Sequence, residues 1–368
     1  MKIFVTGTRG IPDIPGGVEK HCQELYPRIV ARGHEVILAR RSSYVSDSLK
    51  EWHGIKLIDC YAPRKKAFEA IVHTGIALVK ALWHAPDIVH IQAIGPSLLT
   101  PFARILGFKV VVTSHGPDYE RQKWGRLAKF MLRLGEKMGG IFANEVIVIS
   151  QVIQNIIRER CKRDSNLIYN GVPIRAKSIK VDYLEQIGVE PDKYILAVAR
   201  FVPEKGLHDL IEAFTHLDTN YKLVIAGDAD HASEYSMELK KQAQSDARVI
   251  MTGYITGEPL HQLFSHAKLF VLPSSHEGLP IALLEAMSYG LPVLVSDIPA
   301  NKEVDLPLNR YFRCGDVKDL RLKMERLLES EFANEEKAAI LRQVEEKYNW
   351  ERIADQTIAV YEKVLSMI

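Results

Sequence analysis

The chain of 368 residues holds few of the features that would make its function obvious. It has four cysteines, Cys22, Cys60, Cys161 and Cys314, far apart and in no CxxC or Cys/His arrangement. That spacing excludes a disulfide framework and a thiolate zinc site, and leaves small packing residues in a reducing compartment. No apolar run approaches the roughly 20 residues of a spanning helix. Lysines and arginines (48) nearly balance aspartates and glutamates (46), so no bulk charge argues for nucleic acid. There is no low-complexity tract and no repeat of solenoid length. The opening MKIFVTG is too short for a signal peptide and reads as a first strand, so the expected place is the cytoplasm, or at most a membrane surface.

What remains is rhythmic. Short β-rich apolar runs alternate with helical patterns: Lys2–Gly7, His34–Arg40, Ile55–Ala62, Asp87–Gln92, Lys109–His115, Glu145–Ser150 and Asn166–Tyr169. Continuous rather than alternating apolar runs predict a parallel sheet covered on both faces. The polar stretch 173–192 interrupts the rhythm and reads as an interdomain crossing. Six strands follow: Tyr194–Arg200, Lys222–Gly227, Arg248–Tyr254, Lys268–Pro273, Pro292–Ser296 and Arg310–Cys314. Two βα series predict an α/β protein of two doubly wound, Rossmann-like domains, 1–175 and 192–350, with a ligand between them. The last segment, 351–368, is helical, with Ile353, Thr357, Val360 and Val364 on one face. It either closes the second domain or crosses back to the first, and the crossing is the expectation.

Three segments carry chemistry. The loop after the first strand contains Gly16 and Gly17, whose amides can approach a phosphate at a helix N-terminus. The alternative is a plain strand-to-helix turn with no ligand, and the loop is not GxGxxG. The second strand ends in Arg40 and Arg41 instead of the acidic residue that holds a dinucleotide ribose, which leaves only a remote NADP-dependent reductase reading. Arg200 and Lys205, in Arg200-Phe-Val-Pro-Glu-Lys-Gly206, follow a strand and suit a diphosphate, or are solvated surface cations. In Ser274-Ser-His-Glu-Gly-Leu-Pro-Ile-Ala-Leu-Leu-Glu-Ala-Met-Ser-Tyr-Gly-Leu-Pro-Val293, Glu277 lies on a loop and Glu285 in a helix begun by Pro280 and ended by Gly290. Two carboxylates so placed suit the diols of a sugar and a ribose.

This last segment resembles the E-x7-E signature of the retaining glycosyltransferases of the GT-B fold, family 4. Gly16-Gly17, Thr113-Ser-His115, Asn170-Gly-Val172, Arg200 with Lys205-Gly206, and Gly227-Asp228 resemble further family segments across nearly the whole chain. Tyr119-Glu-Arg-Gln-Lys-Trp-Gly125 with Leu134-Gly-Glu136 is similar to a bacterial polysaccharide subgroup that includes rhamnosyltransferases.

The resemblance implies a nucleoside-diphosphate sugar as donor, a glycan or lipid-linked acceptor and no cofactor. Arg200 and Lys205 would neutralise the leaving diphosphate, Glu277 bind sugar hydroxyls and Glu285 the ribose. His115 would sit beside the reacting sugar. The amides of Gly16, Gly17, Gly278 and Leu279 would contact phosphate or sugar, and Tyr254 the nucleobase. It also implies retention of anomeric configuration by front-face attack. Asp228-Ala-Asp230 matches a metal-holding Asp-x-Asp, but two fixed cations make a metal unnecessary, and none is expected. The rival readings are a sugar-nucleotide epimerase on the same fold and a non-enzymatic sugar-binding protein.

A further helix is expected between Arg121 and Met138. Trp124, Leu127, Met131, Leu134 and Met138 share one face, and Arg121, Lys123, Arg126, Lys129, Arg133 and Lys137 lie around them. Such a helix either packs on the core or lies on anionic lipid.

Overall fold

The computed structural model describes residues 1–45, 47–63, 69–117, 119, 125–229 and 231–367. It divides into two compact units: Met1–Gly171 with Trp350–Ile368, and Val172–Asn349. The first unit is built on β1 (Lys2–Thr6), β2 (Glu35–Arg41), β3 (Glu51–Trp52), β4 (Ile55–Cys60), β5 (Ile88–Gln92), β6 (Val110–Ser114), β7 (Glu145–Val148) and β8 (Asn166–Leu167). They form one sheet in the order β3-β4-β2-β1-β5-β6-β7-β8, parallel throughout except for β3 against β4. β1, β5 and β6 are buried almost to the last residue, which is why they read as unbroken apolar runs. β3 carries no signal in sequence because two residues are too few for a period.

The second unit holds β9 (Tyr194–Val198), β10 (Lys222–Ala226), β11 (Val249–Gly253), β12 (Leu269–Leu272), β13 (Val293–Ser296) and β14 (Tyr311–Phe312). Its sheet runs β11-β10-β9-β12-β13-β14, all parallel. Each sheet therefore reverses its winding beside its first strand: between β1 and β5, and between β9 and β12. Such switch points open a crevice at the carboxyl ends of the strands. The strands end slightly earlier than their apolar runs. β1, for instance, stops at Thr6 because Gly7 turns the chain at φ 97°.

The stretch 173–192 is more structured than its polar composition predicts. It contains a short helix, Asp182–Gln186. Gln262, on the helix Gly257–His266, accepts from the Tyr183 amide at 2.9 Å and donates to Asp182 at 2.8 Å.

The final helix, Trp350–Ser366, is part of the first unit. Trp350, Ile353, Ala354, Tyr361 and Val364 pack with Cys22, Leu25, Tyr26 and Ile29 of the helix Gly17–Ala31 in one core. Arg28 and Arg32 tie the outer edges of the two helices to Glu351 and Asp355.

The basic helix spans Arg126–Phe142. Arg121, Lys123 and Trp124, and most of the Tyr119–Gly125 stretch, lie outside the described residues. Its core face is not the apolar stripe. The buried residues are Gly135, Glu136, Gly139 and Gly140. A Cβ at Gly139 would stand 2.8 Å from that of Ser97, and one at Gly135 would strike the carbonyl of Ile94. Glycines let the backbone approach closely and turn the larger apolar side chains elsewhere. Of the expected apolar face, Leu127 is exposed, and Met131, Leu134 and Met138 are half-buried.

Candidate active site

In the second unit, the loops bearing Arg200, Lys205 and Glu277 meet at the switch point between β9 and β12. The 3-10 turn Pro203–Lys205 follows β9, and Gly206 passes the chain into the helix Leu207–Thr215. Gly206 sits at φ 62°, with its α-carbon so close to Pro273 that any Cβ would meet that residue's carbonyl. Only glycine meets both demands. The loop after β12 is stitched to this turn by the Ser275 amide, which donates to the Glu204 carbonyl at 2.9 Å.

Across this seam the Lys205 ammonium lies 2.5 Å from Glu277 Oε1. The side chains are 19% and 9% exposed, so the pair is shielded from water but reachable. The two groups expected to meet phosphate and sugar are thus paired with each other. Arg200 is half-buried immediately beyond β9, and its carbonyl accepts from the Val202 amide at 2.9 Å.

The neighbouring strand ends are knitted to the same place. The Phe201 amide donates to the Asp228 carbonyl at 3.1 Å, and the Gly227 amide to the Gly253 carbonyl at 2.9 Å. Tyr254 follows, with its side chain largely in solvent. A cavity of about 380 Å³ opens here, lined by Phe201, Asp228, Lys240, Gln244, Met251 and Gly253. Lys240 pairs with Asp228 at 2.8 Å and holds its carboxyl below the usual range. Asp230, the other half of the Asp-x-Asp match, lies outside the described residues.

Gly278 and Leu279 continue the β12 loop, and Pro280 caps the helix Ile281–Ser288, which carries Glu285 half-buried in its second turn. Burial pushes the Tyr289 hydroxyl up to about 12; Arg175 opposes this and Glu285 and Glu258 add to it, which places the Glu285 charge near that ring.

The first unit has its own cluster. Gly16, at φ 148°, caps the helix that begins at Gly17, and a Cβ there would collide with Glu19. Glu19 folds the loop by accepting from the Arg9 amide at 2.9 Å and from the Thr8 hydroxyl at 3.2 Å. His115, just past β6, stands edge-on to His21 at 5.0 Å between ring centroids. Its Nε2–H donates to Gln92 Oε1 at 2.7 Å, and the Gln92 amide donates to the Tyr26 hydroxyl at 2.7 Å. Behind them His90 contacts Tyr361 and Thr113 at 2.6 and 2.7 Å. Burial holds His115 well below its ordinary value, with His21 and His90 adding to the effect. Burial likewise lowers His21 to about 4, against the hydrogen bond that its Nδ1–H donates to Asn170 Oδ1 at 2.9 Å. Both rings are neutral at pH 7, and with Nε2 engaged His115 keeps the Nδ1 lone pair.

His21 and Gln92 were not legible as site residues. His21 lies one turn beyond Gly17, which places it at the right end of its helix. Its partner Asn170, however, is 149 positions away. Arg40 and Arg41 do the opposite of what a cofactor clamp needs. Arg40 is fully buried between Asp59 and Asp47, and Arg41 pairs with Glu69 at 3.0 Å.

Comparison with known proteins gives a consistent result. Residues 15–175 match the model described as Glycosyltransferase Family 4, and residues 182–348 the model described as Glycosyl transferases group 1. An uncharacterized glycosyltransferase of Methanocaldococcus jannaschii is 27% identical over 100% of both chains. The serotype-specific mannosyltransferase WbdA of Escherichia coli is 30% identical over 68% of this chain. The match spans only 31% of that relative's length. Among solved structures, sucrose-phosphate synthase from Thermosynechococcus elongatus superposes with a TM-score of 0.87 at 21% identity, over 100% of both chains. Anabaena HepE, solved in complex with UDP-glucose, gives 0.80 at 19% identity, over 98% of this chain and 99% of its own. These likenesses establish the GT-B fold.

Proposed function

The chain belongs to the family 4, group 1 glycosyltransferases, and from that premise we propose that it transfers a sugar, with retention of configuration, from a nucleoside-diphosphate donor to a glycan or lipid-linked acceptor of a cell-surface polysaccharide. The observation that carries this reading is the Lys205–Glu277 pair at the β9/β12 switch point, with Arg200 at the end of β9. A donor entering there exchanges the internal ion pair for two external ones. Its diphosphate takes Lys205 and Arg200, and its sugar hydroxyls take Glu277.

Cleavage of the bond from anomeric carbon to phosphate builds negative charge on the leaving diphosphate, which two fixed cations stabilise without reorganising. The attacking acceptor hydroxyl approaches the face the diphosphate leaves, and the phosphate oxygen takes its proton. Glu285 is assigned to the ribose, the amides of Gly278 and Leu279 to the donor, and Tyr254 to the nucleobase. The cavity lined by Gly253 has the size of a small-molecule site. In the first unit, neutral His115 is assigned to the reacting sugar, and the amides of Gly16 and Gly17 to phosphate or sugar. WbdA, a mannosyltransferase by name, supports a polysaccharide product, and the UDP-glucose bound by HepE supports a nucleotide-sugar donor. The mechanism calls for no metal.

The test is thermal stabilisation by a panel of nucleoside diphosphates and their sugars in the presence of EDTA, with Arg200→Ala beside the natural protein. A ligand at about 100 times its dissociation constant stabilises by about 2.7 kcal/mol. A shift with one nucleotide that disappears in Arg200→Ala supports the clamp and identifies the donor class. No shift with any of them removes the reading.

A further inference from the structure

The helix Arg126–Phe142 turns its apolar stripe outward. With Gly135, Gly139 and Gly140 against the core, the opposite face carries Phe130, Leu134, Ile141 and Leu127. Leu127 is 75% and Phe130 61% exposed, and Ile141 and Phe142 are exposed as well. Met131, Leu134 and Met138 fill the stripe half-buried. The short helix packed alongside, Thr100–Ile105, leaves Phe102 and Ile105 in solvent. Single exposed apolar residues are ordinary, but a stripe running the length of a helix is not.

One edge of the stripe is basic. Arg126, Arg133 and Lys137 fall side by side at helical spacing and are exposed. The helix has a single acidic residue, Glu136, which is buried and paired with Arg160 at 3.1 Å. A second copy laid face to face and antiparallel on this surface would set basic edge near basic edge. An anionic bilayer meets both features at once: acyl chains accept the stripe, and headgroup phosphates accept the cations. We propose that this helix seats the first unit on an anionic membrane surface. The proposal does not depend on the assigned donor chemistry.

Co-sedimentation of the full chain with vesicles of equimolar phosphatidylglycerol and phosphatidylcholine tests it, with pure phosphatidylcholine vesicles alongside. Binding is expected to the anionic vesicles at low salt, and to fall as salt rises. Arg126→Ser, Arg133→Ser and Lys137→Ser should each weaken it about fivefold. The double variant Phe130→Ser, Ile141→Ser should weaken it by roughly tenfold or more. Arg133 also lies over the Tyr119 ring, 5.2 Å from its centroid; in the variants at the other four positions, all on the solvent side, melting temperature and nucleotide-induced stabilisation should stay at their natural values. Three results would overturn the proposal: no pelleting at low salt, pelleting that ignores these substitutions, or a concentration-dependent dimer abolished by Phe130→Ser in a protein that ignores vesicles.

Discussion

Lys205 and Glu277 are 72 positions apart in sequence. Together, at 2.5 Å and mostly shielded, they form the charged contact that a donor would open on the proposed reading. On the proposed mechanism, replacing Lys205 by Met removes a donor that acts on charge developing in the transition state. Such losses cost about 10²–10³ in rate. The expected outcome is therefore a fall of that size in kcat, measured as sugar transfer at saturating donor, with the fold intact by circular dichroism. Gly206 supports the same contact through the backbone. Gly206→Ala should destabilise the protein by about 1 kcal/mol or more, because both φ and the clearance from Pro273 oppose a side chain. Urea unfolding measures that loss, and an unchanged midpoint would show that the turn relaxes.

Among the elements, the two helices Arg126–Phe142 and Trp350–Ser366 show opposite relations between pattern and packing. In the last helix the expected face, Ile353, Thr357, Val360 and Val364, is buried, as an apolar stripe usually is. In the basic helix the stripe is exposed or half-buried, because three glycines bring its backbone against Ile94, Ser97 and Cys161. Gly139→Leu forces a side chain into that contact. Overpacking of this kind costs about 1–3 kcal/mol, and urea denaturation should show at least that much. A tolerant Gly139→Leu variant would mean that the glycine face is not a tight interface.

Taken as a whole, the molecule buries several histidines in neutral form. Burial lowers His73 and His90 to about 3 and His21 to about 4, and His115 is also held well below 6.5. The folded values lie below the unfolded one, so the unfolded chain takes up protons first as pH falls. Their stabilisation is full above about pH 6.5 and is lost on acidification toward pH 4 and 3, by up to about 1.4 kcal/mol per pH unit for each histidine. Urea midpoints should therefore drop steeply between pH 7 and pH 5. His73→Leu should flatten that slope by one histidine's share. A slope unchanged by the substitution would show that His73 is protonated in the folded protein or titrates alike in both states.

The long parallel strands of both sheets, the loops bearing Arg200, Lys205 and Glu277, and the helix bearing Glu285 were determined by the sequence alone. Burial on both faces writes a continuous apolar run into each long strand, and glycine and proline mark where the chain turns. The sequence also carried the amphipathic pattern of the basic helix, but not which side of it faces the core. Tertiary structure decided what depends on approach across long separations. It paired Lys205 with Glu277, set His21 beside His115 and bound Gln92 to both His115 and Tyr26. It enclosed Arg40 and Arg41 among carboxylates. It also placed glycines, not leucines, against the first sheet's neighbours. Pattern reports which residues share a face; only packing determines what that face meets.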